Sequence, residues 1–282
     1  MSLSSSQSAL LAELTDRLSQ VPGVVAVALG GSHATGSGRR DSDLDLGLYY
    51  REATPPDHGE LLALAEELDP AGAASLTEIG AWGPWMDGGA WLAIRGQRVD
   101  WIYRSVDRLH REIDAAQRGE HQWHAAQQPP FGFVSVILLG ELAICRPLHD
   151  PEGVLTELKA RVAVYPPALR ERLQHDYLDL AEFTLFHARA HAARGEVVNA
   201  VGCLTRLAMC LVQVLYAAEG RYFVSDKGAT RVLPDSDREL LDEVLAAPGQ
   251  SAGELGVSVD RLAALFEHVR SRVPGYRDKR LP

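Results

Sequence analysis

The sequence predicts an α/β (α+β) chain in two parts, a small mixed β-sheet bearing helices followed by an all-helical bundle. Three observations carry this expectation. Short apolar runs rich in β-branched residues, bounded by glycine and proline, recur through the first 105 residues and read as strands. Beyond residue 151 the apolar spacing is helical throughout. Between them, Arg146-Pro147-Leu148-His149-Asp150-Pro151 brackets a polar turn with two prolines. The boundary is therefore drawn between residues 1–147 and 148–282, each half long enough to bury its own core.

Each element follows from local signals. Residues 5–20 set Leu10, Leu11, Leu14 and Leu18 at helical spacing, and Pro22-Gly23 stops that helix. Val24–Leu29 reads as a buried strand that ends at Gly30-Gly31, followed by Ser32, His33, Ala34 and Thr35. Glycine admits positive φ and close approach of a ligand to the backbone. Ser32 can cap the following turn or donate its hydroxyl to an anion, and the free N–H groups of a helix start favour anions too. Residues 36–41 carry Arg39 and Arg40, read as a solvated turn, before Ser42 opens a second strand, Leu44–Tyr50. A Pro-Pro turn and a helix occupy 51–69. Strands are expected at 75–79 and 90–94, split by the Gly-, Pro- and Trp-rich loop 80–89, and again at 97–103. Helices at 106–118 and 132–143 complete the first part; the second holds helices at 152–164, 168–194, 197–219, 237–247 and 258–273. No internal repeat or heptad run stands out.

The most informative residues are Asp43 and Asp45, with Asp43 eleven positions after Ser32. On a strand, side chains at i and i+2 share a face, so the two carboxylates stand roughly 7 Å apart along the backbone. A hydrophobic core has no use for such a pair. A hard divalent cation does, because Mg²⁺ is held by one or two protein carboxylates together with waters and substrate phosphates. In Gln97-Arg98-Val99-Asp100-Trp101-Ile102-Tyr103, Val99, Trp101 and Tyr103 share one face and Asp100 lies on the other. An acid within an apolar strand is costly unless paired or bound to metal. Asp100 is accordingly a third ligand, a general base beside the metal, or an ion-pair partner of Arg98 or Arg104.

Gly31-Ser32 … Ser42-Asp43-Leu44-Asp45 with a later strand acid resembles the nucleotidyltransferase superfamily related to DNA polymerase β. The layout is similar to two-domain antibiotic nucleotidyltransferases, the aminoglycoside adenylyltransferases in particular. A second stretch, Leu215-Tyr216-Ala217-Ala218-Glu219-Gly220 … Ser225-Asp226-Lys227, is similar to the segment in which such enzymes bring a lysine to the triphosphate, with Gln213 where arginine is expected. The resemblance implies ATP as co-substrate, bound through Gly31, Ser32, Ser42 and Lys227, and two Mg²⁺ ions on Asp43, Asp45 and Asp100. It implies transfer of AMP to a hydroxyl of a small acceptor such as an aminoglycoside. The alternatives are an antitoxin-like transferase acting on a protein or tRNA, and a nucleotide-binding module without chemistry. A Walker-type Gly-Lys-Ser/Thr loop is absent, which argues against kinase chemistry.

Composition narrows the partner. A formal charge of −10 argues against a long nucleic acid and favours a cationic small molecule. On the helix from residue 168, Asp176 and Asp179, with Glu182, form an acidic stripe; Asp176 and Asp179 are candidates for acceptor amines, against the alternative of a water-facing side. His121 with His124, and His187 with His191, have metal-compatible spacing but read as surface histidines. Trp82, Trp85 and Trp91 are expected to pack in the core rather than stack on adenine. The three cysteines lack Cys-x-x-Cys spacing and are expected to be buried, inert thiols in a reducing compartment. No apolar run is expected to span a bilayer, and the polar, Ser-rich start lacks the pattern of a signal peptide, so a cytoplasmic location is the expectation.

Overall fold

A computed structural model describes residues 3–127 and 130–276. These divide into two compact units, 3–115 with 122–127 and 130–164, and 116–121 with 165–276. The division comes later than the expected Pro147 turn, because Arg146–His149 is a strand of the first unit's sheet.

In the first unit the chain runs through α1 (Ser5–Ser19), β1 (Val24–Leu29), the short α2 (Gly31–Ala34), β2 (Leu44–Tyr50), α3 (His58–Leu68), β3 (Gly89–Ile94) and β4 (Gln97–Ser105). Helix α4 (Val106–Gln117), the two-residue strands β5 (Trp123–His124) and β6 (Phe133–Val134), α5 (Val136–Ile144), β7 (Arg146–His149) and α6 (Val154–Val162) follow. Five strands form one mixed sheet in the order β3-β4-β2-β1-β7, with β2 and β4 parallel and the other neighbours antiparallel. Strict alternation sorts β2 and β4 by face. Leu44, Leu46 and Leu48 with Val99, Trp101 and Tyr103 are buried in a core shared with Leu10, Leu14 and Leu18 of α1 and Leu61 of α3. The other face carries Asp45 and Asp100 and, further along, Arg104, whose guanidinium pairs with Glu141 of α5 at 2.7 Å.

Two expectations for this unit are corrected. Residues 75–79 form no strand; a 3-10 turn at Gly72–Ser75 precedes irregular chain. Side-chain hydroxyls take over the edge of β3 instead. Ser75 Oγ accepts from the Trp91 N–H (2.8 Å) and donates to the Trp91 carbonyl (2.9 Å), and Thr77 Oγ1 accepts from Gly89 N (3.0 Å). The helix expected from residue 132 starts at Val136, after Phe133–Val134 has paired with Trp123–His124.

The second unit comprises α7 (Pro167–Ala193), α8 (Val197–Ala218), α9 (Asp235–Ala246) and α10 (Ala252–Ser271), with a 3-10 turn at Ala229–Val232. Helix α10 begins earlier than the expected residue 258, since Ser251 and Glu254 form a capping box that the periodicity alone did not reveal. Helix α8 corrects the expectation that no segment is apolar enough for a membrane: by length and composition it could cross one. Its apolar residues, among them Leu204, Leu207, Leu211 and Leu215, are buried where it packs against α7 and α10.

Candidate active site

Strand β1 delivers the chain to Gly30, whose N–H donates to the carbonyl of Asp45 at 2.8 Å. Gly31 then turns with φ +55°, a left-handed conformation, and a Cβ at this position would overlap the Asp45 carboxylate. Only glycine lets the turn lie against that acid. After α2 the loop to β2 is closed by several contacts. Gly38 N donates to Ser32 O (2.8 Å), Arg39 N donates to Ser42 Oγ (2.9 Å), and Gln97 Nε2 donates to Ser42 O (3.0 Å). The Ser42 hydroxyl is thus part of the loop's own framework. Buried His33 reaches the same carbonyl through Nε2 at 3.4 Å.

Parallel pairing of β2 with β4 sets Asp45 beside Asp100 in register. These two expected residues meet on one face from strands more than fifty residues apart. Their proximity has an electrostatic consequence: burial, then the charges of Asp45 and Asp43, push the Asp100 carboxyl from 3.8 up to about 6, against the opposing influence of Arg98. Asp43 lies at the entry to β2, two residues before Asp45 and so on its face. Arg98 Nε stands 2.7 Å from Asp43 Oδ1. The ion pair that the sequence offered to Asp100 therefore goes to Asp43, and Arg104 is taken by Glu141.

Among the described residues no three His, Cys, Asp or Glu side chains are gathered into a ready metal cage, the aspartates included. The donor set nevertheless fits Mg²⁺, which seldom uses an all-protein cage and is completed by phosphates and water. Asp100, in register with Asp45, is half-buried, and burial followed by the neighbouring acids raises its proton affinity, a condition that a divalent ion relieves. Asp43 and Asp100 also line a cavity of about 590 Å³ with Asp69, Trp91, Ala93 and Arg98.

Trp91 departs from the expectation of core packing. It lies across from Asp100 in the β3–β4 ladder, is 56% exposed, and stacks on Trp82 with ring centroids 4.5 Å apart and planes 13° from parallel. The signal was present in the sequence: alternation through 89–94 buries Ala90, Leu92 and Ile94 and turns Trp91 and Ala93 to the face of the acids. Trp85 packs on Phe133.

The remaining candidates belong to the second unit. Lys227 is exposed in the turn before Ala229–Val232. Asp176 is engaged by Arg172 Nε (2.7 Å) and His121 Nε2 (3.0 Å), and Asp179 accepts from the Tyr276 hydroxyl at 3.0 Å, so both have partners within the protein. His191 pairs with Glu196, and no described histidine joins a metal-binding group. Cys145 and Cys210 are buried and Cys203 is partly so; burial pushes the Cys210 thiol up to about 12.

The family model of the nucleotidyltransferase domain matches residues 11–73, the stretch that contains Gly31, Ser32, Asp43 and Asp45. That match supports nucleotidyl transfer from a nucleoside triphosphate as the general chemistry. No curated protein sequence matches the chain. Among solved structures, a nucleotidyltransferase-like protein from Exiguobacterium sibiricum is similar with a TM-score of 0.45 and 11% identity, over 92% of this chain and 75% of that one.

Proposed function

We propose that this chain is a Mg²⁺-dependent nucleotidyltransferase that moves AMP from ATP to a hydroxyl of a small, cationic acceptor of the aminoglycoside type. The observation that carries the reading is the register pairing of Asp45 with Asp100 beneath the Gly31 turn. Asp45, Asp100 and Asp43 would hold the divalent ions. When bound, Mg²⁺ neutralises phosphate charge and makes an attacking oxygen more acidic. Asp100, on the strand beside Asp45, would take the proton of the acceptor hydroxyl. The Gly31 turn fixes Asp45, and Arg98 orients Asp43. Exposed Trp91 beside Asp100 offers a flat face for a ring of either substrate. A cationic acceptor is supported by the cavity's three aspartates against one arginine and by the net charge of −10.

The test is pyrophosphate release from ATP and Mg²⁺ across aminoglycosides, neutral polyols and tRNA. Release that depends on a polyamine acceptor is the expected result. Release with tRNA alone, or silence across the panel, overturns the acceptor class.

A further inference from the structure

A second cavity in the first unit, of about 310 Å³, has the polar groups of Tyr50, Glu52, His58, Glu78 and Tyr103 in its lining, with Pro55, Pro56 and Leu61 among its apolar walls. Tyr103 is three residues beyond Asp100 on β4, and odd spacing turns it to the opposite face of the sheet. This cavity is therefore separate from the aspartate site. It is also small for a nucleotide, at the lower limit of ordinary ligand pockets.

Its polar groups differ in how far they are already used. Glu52 is neutralised by Arg111 (2.7 Å) and accepts from Ser105 Oγ (2.8 Å), which with Arg111 holds its carboxyl down at about 2. The Tyr50 hydroxyl donates to Asp87 at 3.2 Å, and Asp87 is paired with Arg108. Two groups remain. Tyr103 is only 1% exposed, and its hydroxyl has no hydrogen-bond partner among the described residues. His58 Nε2 approaches the Glu78 carboxylate at 3.6 Å, and that carboxylate is open to solvent. A buried hydroxyl without a partner is unfavourable unless something polar enters to meet it.

We propose that this cavity binds a small organic cation, an amine on a compact apolar body, with its N–H groups donating to the Tyr103 hydroxyl oxygen and the Glu78 carboxylate. The alternatives fit less well. An anion meets Glu78 and Glu52, and a purely apolar guest leaves the Tyr103 hydroxyl unpaired. An ammonium satisfies both groups while its body lies on Pro55, Pro56 and Leu61. Because Tyr50 and Tyr103 belong to the strands that carry Asp45 and Asp100, the site is joined to the aspartates through β2 and β4.

Phenethylamine is the probe, titrated calorimetrically into the full chain without nucleotide, with 3-phenylpropionate as its anionic counterpart. Saturable one-to-one binding of the amine is expected, weakened at least tenfold by Tyr103→Phe and by Glu78→Gln, with no binding of the carboxylate. Tyr103→Phe keeps the ring, so it folds. Its melting temperature without probe is equal to or above that of the wild type, and the rise produced by phenethylamine is lost. Absence of saturable binding, affinity unchanged in both variants, or equal binding of the carboxylate overturns the proposal.

Discussion

Replacing Asp100 by Asn will stabilise the protein in the absence of divalent ions while removing nucleotide transfer. The carboxyl rises from 3.8 to about 6 because it is partly withdrawn from water and because Asp45 and Asp43 repel its charge. At 1.36 kcal/mol per pH unit that difference corresponds to about 3 kcal/mol, and solvent contact at this half-buried position brings it to roughly 1–2 kcal/mol. The sign follows from proton binding. Below 3.8 both folded and unfolded chains carry the proton and the group is neutral in its effect. Between 3.8 and about 6 the folded chain keeps the proton that the unfolded chain loses, so stability declines as pH rises through this window; above it the full penalty applies. Urea unfolding of wild type and Asp100→Asn at pH 7.5 and pH 4, with chelator present, measures the effect. The variant is expected to gain roughly 1–2 kcal/mol at pH 7.5 and much less at pH 4. A variant less stable than wild type at pH 7.5, or a gain independent of pH, refutes the claim that burial and the neighbouring acids disfavour the Asp100 charge.

Other substitutions probe the parts around this pair. Gly31→Ala forces a side chain into the left-handed region and against Asp45; it is expected to lose about 1–2 kcal/mol of stability and, by displacing the acid, about 100-fold in kcat/KM, read by thermal melts and steady-state pyrophosphate release. Trp91→Ala removes an exposed aromatic face, and a stacking loss of about 1–3 kcal/mol predicts a roughly tenfold rise in KM for one substrate with kcat nearly unchanged. A fall in kcat alone would contradict a binding role. Lys227→Met, at the lysine that the family resemblance assigns to the triphosphate, is expected to raise KM for ATP about tenfold, and an unchanged KM removes that assignment.

The strongest features were legible in the sequence because they are local. A continuous apolar, β-branched run marked β1, alternation marked β4, and the i, i+2 spacing alone put Asp43 and Asp45 on one face. That Asp45 meets Asp100 depends on the parallel pairing of β2 with β4, a long-range choice no local pattern dictates. The same holds for Arg98, which had several acids within reach and pairs with Asp43. Arg146–His149 reads as a proline-marked turn, yet it gains strand pairing from β1, where Pro147 sits on the sheet edge and needs no donor on its outer side. Ser75 and Thr77 looked like strand residues; their hydroxyls bond to β3 in place of a continuous ladder. For Trp91 the alternation was readable, but the general habit of tryptophan to pack inside outweighed it.

The account rests on a divalent ion shared by nucleotide and the aspartates, and binding of Mn²⁺ with α,β-methylene-ATP, followed by electron paramagnetic resonance, tests it most directly. Wild-type protein is expected to bind the Mn²⁺–nucleotide pair, and Asp45→Asn, which retains the wild-type circular dichroism spectrum, to lose it. Undiminished binding of the ion by a folded Asp45→Asn protein would contradict the account.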